Sequence, residues 1–186
     1  MTAKIKLYFY LVGTLLTVVL TFLHPLFSLA TLCFVGLLFR DARIHLKNSQ
    51  LDALTGLPNL HQLNQHRRFY SKSSSLSVVY IDLNDLKQIN DHQGHNAGND
   101  ALVEIAGYLQ HNCHKGEIAY RVGGDEFLLI STSGNTVQLQ QRFLSAQDTL
   151  RHIGISFGIA TGSGSELDAL VHTADRNMYA MKNRTT

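Results

Sequence analysis

The chain has 186 residues, a formal net charge of +2 at pH 7 and two cysteines. A charge this small, with no basic patch interleaved with aromatic residues, argues against a nucleic-acid-binding protein. Cys33 lies in an apolar N-terminal stretch and Cys113 lies far along the chain, so we expect no disulfide between them and a reducing compartment. About 135 residues follow the apolar stretch, which is enough chain for one domain with a real core.

The first 40 residues are predicted to form a transmembrane helical hairpin. Two uncharged stretches, Leu7–Leu23 and Leu26–Phe39, are interrupted by His24 and Pro25. Together they exceed the roughly 20 residues that one membrane span needs, and proline breaks a helix. A cleaved signal peptide is the other interpretation, but a second apolar run stands where such a peptide would need a small-residue cleavage site.

Basic residues flank both ends of the predicted hairpin: Lys4 and Lys6 on one side, and Arg40, Arg43 and Lys47 on the other. Since basic flanks stay on the cytoplasmic side of a membrane, both ends are expected in the cytoplasm. Residues 41–51 are predicted to be a helical linker. Ile44 and Leu51 in this region are one heptad apart, which fits either coiled-coil pairing or a plain amphipathic helix.

Helix-like and strand-like segments alternate through residues 52–186, which we predict to be one domain. The predicted helices are 60–70, 85–91, 98–112, 136–150 and 166–182. The predicted strands are 76–82, 117–122, 127–130 and 153–160. Helices and strands in this order favour an α+β sandwich with a mainly antiparallel sheet.

An acidic residue ends the first predicted strand of this domain. Val78–Ile81 is a short apolar, largely β-branched run, which is typical of a buried strand, and Asp82 follows it directly. A carboxylate at the C-terminal end of a strand is a common neighbour of a nucleotide site. Polar residues then recur densely from Asn84 to Asp91 and again from Gly94 to Asp100.

A second acidic pair follows two glycines, in the segment Gly123-Gly124-Asp125-Glu126. Gly-Gly between strand-like runs predicts a tight hairpin, because both turn positions can take a positive φ without a Cβ clash, and this hairpin would place both carboxylates at its tip. Bare backbone beside an acid pair suits a metal-bound polyphosphate. On these residues alone, an ordinary hairpin with two solvated acids is the alternative.

Five stretches of the chain, in the same order, resemble motifs of the GGDEF family, the diguanylate cyclases. They are Asp52–Asn59, Ile81–Asp91, Gly123–Phe127, Ile155–Ala160 and Ala174–Lys182. Five ordered motifs are far more specific than the pentapeptide alone. The resemblance implies a nucleotidyl-cyclase palm with a ferredoxin-like βαββαβ core, here preceded by the predicted two-helix transmembrane hairpin.

The resemblance also implies an activity and a setting. Members of this family condense two GTP molecules into cyclic di-GMP and pyrophosphate. Each domain holds one GTP, so a homodimer is expected for catalysis. With the predicted hairpin, this enzyme would be a multi-pass protein of the bacterial cytoplasmic (inner) membrane with its catalytic domain in the cytoplasm. The alternative is a degenerate domain that binds GTP or a cyclic dinucleotide and signals through a partner.

The metal site can be assigned by the chemistry of this reaction. A ribose 3′-OH must attack an α-phosphorus, so Mg²⁺, with Mn²⁺ as a possible substitute, is expected to stabilise charge on the phosphate oxygens. Asp82, the Leu83 carbonyl and Asp125 can supply the hard oxygen ligands that Mg²⁺ prefers. Glu126 is either a further ligand or the group that activates the 3′-hydroxyl.

The substrate contacts come from other stretches of the motifs. Lys87, assigned to the catalytic set with the two hairpin acids, and Lys182 are expected to hold phosphates as point charges. Asn90 is expected, by resemblance, to contact the guanine edge. Gly123 and Gly124 would let the backbone approach the nucleotide.

Three positions depart from the family's pattern. Asn99 stands where the family usually has an aspartate on guanine, so either its amide faces the base, or Asp100 does so and Asn99 caps a helix. His114 and Glu117 stand where the product-inhibition motif has Arg and Asp, which predicts weak feedback. The family often continues after its last helix to Gly-Arg-Asn, where this sequence reads Arg184–Thr186, so one phosphate contact is expected to be missing.

Overall fold

The computed structural model of the chain describes residues 3–23, 31–40, 50–133 and 135–185. The chain divides into two compact units, Met1–Ser49 and Gln50–Thr186. In the first unit, helix α1 spans Ala3–Leu23 and residues 31–40 form helix α2. The predicted turn at His24 and Pro25 and the greater part of the predicted linker lie outside the described residues.

The predicted transmembrane hairpin is not supported by this first unit. Over the four described ranges, no helix combines the length and the apolar character that crossing a membrane requires. The described part of α2 rises by about 15 Å at 1.5 Å per residue, which is half of the ~30 Å hydrocarbon core of a bilayer.

The second unit is built on a four-stranded antiparallel sheet with the strand order β2-β3-β1-β4. The strands are β1 (Leu76–Leu83), β2 (Glu117–Arg121), β3 (Glu126–Ser131) and β4 (Ile155–Gly162). With helices between β1 and β2 and between β3 and β4, this is the ferredoxin-like βαββαβ arrangement. The predicted α+β palm with an antiparallel sheet is therefore confirmed.

Five helices complete the second unit. They are α3 (Leu60–Tyr70), α4 (Leu86–Gln93), α5 (His95–Asn112), α6 (Thr136–Thr149) and α7 (Leu167–Thr185), with a 3₁₀ turn at Gly164–Glu166. Helix α5 begins three residues before its predicted start at Gly98. Gly94 has a φ of +85° between α4 and α5, so the chain reverses within one residue and the second helix starts at once.

The sheet buries an apolar layer on each face, because successive side chains of a strand point to opposite sides. One layer joins β1 to α5 and α6 through Val79, Ile81, Leu83, Leu102, Ile105 and Phe143. The other joins β1 to α3 and α7 through Leu63, Tyr70, Leu76, Val78, Tyr120, Leu170 and Ala174. Asp82 alternates with Leu83, so its side chain emerges on the face that α7 covers.

Helix α7 lies with its backbone directly against β4. A Cβ built on Gly158 would be 2.2 Å from both the Ala174 carbonyl oxygen and the Met178 nitrogen. Only glycine allows this approach, and the approach sets how far the end of α7 reaches towards β1.

Candidate active site

The hairpin that joins β2 to β3 is wider than the predicted Gly-Gly turn. Strand β2 ends at Arg121, β3 begins at Glu126, and the backbone N–H groups of Val122 and Gly123 both donate to the Glu126 carbonyl, at 3.0 and 3.3 Å. In the described residues the glycines with positive φ are Gly56, Gly94, Gly116 and Gly154. Neither hairpin glycine is among them, because four residues share the reversal of the chain.

Gly123 leaves room for the side chain of Glu126. A Cβ at this position would lie 2.2 Å from the Glu126 Oε2 atom, so the Glu126 carboxylate folds over bare backbone. Gly124 is exposed, and its carbonyl accepts a hydrogen bond from Arg121 Nη2 at 2.6 Å. The predicted pair of acids at the tip is thus divided: Asp125 ends the turn and Glu126 opens β3.

Asp82 and the two hairpin acids, Asp125 and Glu126, lie at the same end of the sheet. Asp82 lies directly across from Glu126 in the β1–β3 register, and the Leu83 N–H donates to the Asp125 carbonyl at 3.0 Å. Across the described part of the chain, no three His, Cys, Asp or Glu side chains form a ready-made metal cluster. Mg²⁺ usually takes one or two carboxylates and completes its shell with water and substrate phosphates, so these donors fit it.

A lysine from the last helix already occupies this acidic end. Lys182 Nζ forms an ion pair with Asp82 Oδ1, and the two side chains are 34% and 12% exposed. Burial raises the pKa of Asp82, the Lys182 ammonium lowers it, and Asp125 and Asp175 raise it, with a net pKa above the ordinary carboxyl value. Lys182, predicted as a phosphate contact, is here the carboxylate's partner, which shows that this donor set attracts a cation.

Two further residues at this acidic end of the sheet, Tyr80 and Asp175, were not predicted. Burial raises the pKa of the Tyr80 phenol, and the charge of Glu126 and a hydrogen bond to it raise that pKa further, as does Asp175. Alternation along β1 would have placed Tyr80 on the face of Asp82. Asp175 precedes Lys182 by seven residues, which is two helical turns and so the same side of α7.

The first motif of the domain is tied to the hairpin through Arg121, which was also not predicted. Arg121 Nη1 donates to Asp52 Oδ1 at 2.8 Å, while its Nη2 atom holds the Gly124 carbonyl. Asp52 also accepts from the Thr55 backbone and hydroxyl, at 2.9 and 2.7 Å. Burial raises the pKa of Asp52, but the hydrogen bonds from Thr55 and Arg121 outweigh it and hold this pKa below its ordinary value.

Asn90, the predicted guanine contact, lies where α4 meets α5. A Cβ on Gly98 would lie 2.1 Å from Asn90 Oδ1, so α5 packs against the Asn90 amide. Lys87 precedes Asn90 by three residues on α4 and is exposed. Because α5 begins at His95 with Gly94 as its N-cap, Asn99 lies inside the helix, and the interpretation of Asn99 as a cap is wrong.

Glu117, which stands where the product-inhibition motif has Asp, forms an internal ion pair. Arg142 Nη2 donates to both carboxylate oxygens of Glu117, at 2.9 and 2.8 Å, and the His114 N–H donates to the same carboxylate at 2.9 Å. The Glu117 side chain is only 4% exposed. Burial raises the pKa of Glu117, but the Arg142 and His114 hydrogen bonds outweigh it, so this pKa lies below its ordinary value.

We expect Glu117→Gln to lower the free energy of unfolding by about 1–3 kcal/mol at neutral pH, because the half-buried Arg142 loses its charged partner. A depressed folded-state pKa stabilises the protein above the unfolded pKa, about 4.3, and the benefit is lost as pH falls through the folded pKa. Urea unfolding from pH 7 into the acid range should show the difference shrinking. Glu104→Gln, in an exposed pair with His152, is the control and should change stability by less than about 1 kcal/mol. A pH-independent deficit would contradict this account.

A ferredoxin-like sheet with carboxylates at one end and a lysine reaching them from the last helix defines a palm-type domain suited to a metal-bound polyphosphate. Residues 49–186 match the family model described as "Diguanylate cyclase, GGDEF domain". The chain belongs to the GGDEF family.

Known relatives carry two kinds of name. Diguanylate cyclase DgcS of Shewanella oneidensis is 32% identical over 148 residues, covering 72% of this chain and 50% of DgcS. Cyclic di-GMP phosphodiesterase PdeB of the same organism is 32% identical over 154 residues, covering 75% of this chain and 18% of PdeB. A solved sensory box/GGDEF family protein from Caulobacter crescentus has a TM-score of 0.58 at 30% identity, covering 73% of this chain and 99% of that one. The chain thus spans half or less of the length of these curated relatives.

Proposed function

We propose that the protein is a diguanylate cyclase that condenses two GTP molecules into cyclic di-GMP and pyrophosphate. The observation that carries the proposal is the register that sets Asp82 opposite Glu126 while the Leu83 backbone binds that of Asp125. Asp82 and the pair Asp125 and Glu126, which are about 40 residues apart in the chain, are brought to one end of the sheet. A metal-dependent phosphoryl-transfer site requires acidic residues grouped in this way.

The acidic end supports a divalent metal, which diguanylate cyclases of this family generally use. We assign Mg²⁺, with Mn²⁺ as a substitute, to the carboxylates of Asp82 and Asp125 and the Leu83 carbonyl. When bound, it would stabilise charge on the phosphate oxygens. Glu126 completes the set as a ligand or as the base for the 3′-hydroxyl, and metal titration of Glu126→Gln separates these two roles.

The remaining residues bind and orient the nucleotide. Lys87 and Lys182 would hold phosphate oxygens as mobile point charges. Gly123 and Gly124 would leave the backbone accessible beside the phosphates. Asn90 would contact the guanine edge, where its amide is already held against α5.

The reaction calls for two copies of the chain. Each 3′-oxygen attacks the α-phosphorus of the other nucleotide, its proton leaves, and pyrophosphate departs with the electrons of the broken P–O bond. Since one domain provides one acidic end, we propose a homodimer in which two such ends face each other. An initial rate that rises with the square of protein concentration in the dilute range would support this, and a strictly linear rate down to the lowest detectable concentration would oppose it.

The activity is tested by incubating the full chain with GTP and Mg²⁺ and identifying the products by mass spectrometry. Release of cyclic di-GMP and pyrophosphate, absent from a Glu126→Gln preparation purified in parallel, supports the cyclase. Tight GTP binding without turnover supports the alternative, a domain that signals through a partner. Asn99 is the residue that favours this alternative, since it replaces the family's carboxylate.

We expect Asn99→Asp to lower the Michaelis constant for GTP and to sharpen the preference for GTP over ATP. A Cβ built on Gly98 would point at Asn90. Each helical step turns by about 100°, so a side chain at position 99 starts nearer to Asn90 than one at position 100. An amide satisfies one of two adjacent guanine donors, and leaving the other unpaired costs about 1–3 kcal/mol, or about 5- to 150-fold. Competition between GTP and ATP measures this. Asp100→Asn is the matched control, and a selectivity change confined to that control would reject the role of Asn99.

We expect added cyclic di-GMP to inhibit the enzyme only weakly. The Glu117 carboxylate is occupied by Arg142, and His114 stands where the inhibition motif has Arg. Steady-state rates with increasing product measure the effect. Strong non-competitive inhibition that survives Arg142→Met and His114→Ala would place feedback elsewhere, and strong inhibition that either variant removes would contradict the expectation.

The location of the protein in a membrane remains a prediction from residues 1–40, without support from the described helices. Cell fractionation tests it directly. Recovery of the full chain in the membrane pellet after an alkaline wash would favour the prediction, and recovery in the supernatant would reject it. A fragment of residues 50–186 serves as the comparison.

A further inference from the structure

One cation–carboxylate contact couples the proposed metal site to the proposed phosphate site. Asp82, a proposed metal ligand, is bound by Lys182, a proposed phosphate contact. An ammonium on a carboxylate oxygen competes with a metal ion for that carboxylate. The two proposed functions of this pair therefore compete with each other.

The pairing has a clear electrostatic cause. The Asp82 side chain is only 12% exposed and lies near two further acids, Asp125 and Asp175. A buried carboxylate beside other acids is stabilised by a positive neighbour. Lys182 supplies that charge from within the protein.

Packing sets the position of the backbone that carries Lys182, whereas the lysine side chain is long and flexible. Helix α7 is seated against Gly158 of β4, and Gln147 Nε2 contacts both the Met181 sulfur, at 3.3 Å, and the Ile155 carbonyl, at 2.9 Å. The lysine has a flexible four-carbon stem, and its side chain is 34% exposed. The ammonium can therefore exchange a carboxylate for a phosphate oxygen without any movement of the helix.

We propose that Lys182 makes metal binding at Asp82 conditional on nucleotide. In the nucleotide-free protein its ammonium occupies Asp82, and a divalent cation binds weakly because two cations compete for one carboxylate. Nucleotide phosphates draw the ammonium away and free Asp82 for the metal. This coupling rests on the proposed nucleotide site, and it must be reciprocal, so metal strengthens nucleotide binding by the same factor.

The test measures Mn²⁺ binding to the nucleotide-free full chain by the EPR signal of free Mn²⁺. We expect Lys182→Met to bind Mn²⁺ about tenfold more tightly than the wild type, within the usual range of coupling between sites. Lys182→Arg keeps the charge and should bind Mn²⁺ as weakly as the wild type. Lys87→Met removes a proposed phosphate contact that is not paired with Asp82, and should leave Mn²⁺ binding unchanged.

The second half of the test measures the affinity for α,β-methylene-GTP, which cannot release pyrophosphate, with and without Mn²⁺. In the wild type, Mn²⁺ should strengthen binding of the analogue by a factor that Lys182→Met reduces about tenfold. Asp82→Asn should abolish the tight Mn²⁺ binding of the Lys182→Met protein. Unchanged Mn²⁺ affinity in a folded Lys182→Met, or in Lys182→Gln should the first variant not fold, would overturn the proposal.

These outcomes are separate from those of the activity assay. Tighter Mn²⁺ binding by Lys182→Met without any cyclic di-GMP formation by the wild type would leave the coupling intact and reject the cyclase. Cyclic di-GMP formation with unchanged Mn²⁺ affinity would do the reverse.

Discussion

Replacement of Glu126 by glutamine is expected to lower the rate of cyclic di-GMP formation by at least about 10²- to 10³-fold, the typical effect of removing one group that stabilises a charged transition state. Glutamine keeps the shape of Glu126 at the start of β3, so the register with Asp82 should persist. It removes the negative charge needed either to hold a metal or to accept the 3′-hydroxyl proton. Turnover at saturating GTP and Mg²⁺ measures the loss.

The matched control for this substitution is Glu166→Gln. Glu166 is exposed in the 3₁₀ turn before α7 and has no proposed contact with substrate. It should keep wild-type turnover, and both variants should unfold at the wild-type urea midpoint. Turnover by a folded Glu126→Gln protein within a few-fold of the wild type would remove Glu126 from the proposed mechanism.

Gly158→Ala is expected to lower the free energy of unfolding by about 3 kcal/mol, at the upper end of the usual cost of overpacking. The added methyl would lie 2.2 Å from the backbone of α7 at Ala174 and Met178. Backbone atoms cannot rotate away as a side-chain end can, so the whole helix must shift. Urea unfolding measures the stability, and a weaker affinity for GTP would report the displaced Lys182.

Gly107→Ala provides the opposite case on another helix. Nothing lies within 4 Å of a Cβ built on Gly107, which is inside α5. Alanine is the better helix former, so this variant should be more stable than the wild type by up to about 1 kcal/mol. Equal stability of the two alanine variants would show that the approach of α7 to β4 is looser than the structure has it.

The order of helices and strands could be predicted because it depends on local periodicity. Val78–Ile81 is an apolar run buried on both faces, and it occurs as the centre of β1. The hairpin after β2 was placed correctly, but its turn was not, because Gly-Gly is compatible with several turns. The wider turn is held by the Arg121 contacts to Asp52 and Gly124, which no local pattern contains.

The boundaries of the helices could likewise be predicted only in part from local periodicity. Residues 98–112 have helical periodicity, and α5 covers them all, but its start at His95 depends on the positive φ of Gly94. The interpretation of Asn99 as a cap failed for that reason. The two-span hairpin predicted from residues 1–40 rested on hydropathy, on the break at Pro25 and on the basic flanks, and the described helices of that region do not support it.

The sequence by itself determined the chemistry available at this site, because Asp82, Asp125 and Glu126 are recognisable by type and by their places after strand-like runs. Only the tertiary structure decided the partners of these acids and of Glu117. Lys182 lies 100 residues from Asp82, and Arg142 lies 25 residues from Glu117. Such pairs form because strand order and helix packing bring distant segments together, and neither is encoded in a local pattern of residues. The ion-pair partner of each of these carboxylates is therefore determined by the fold.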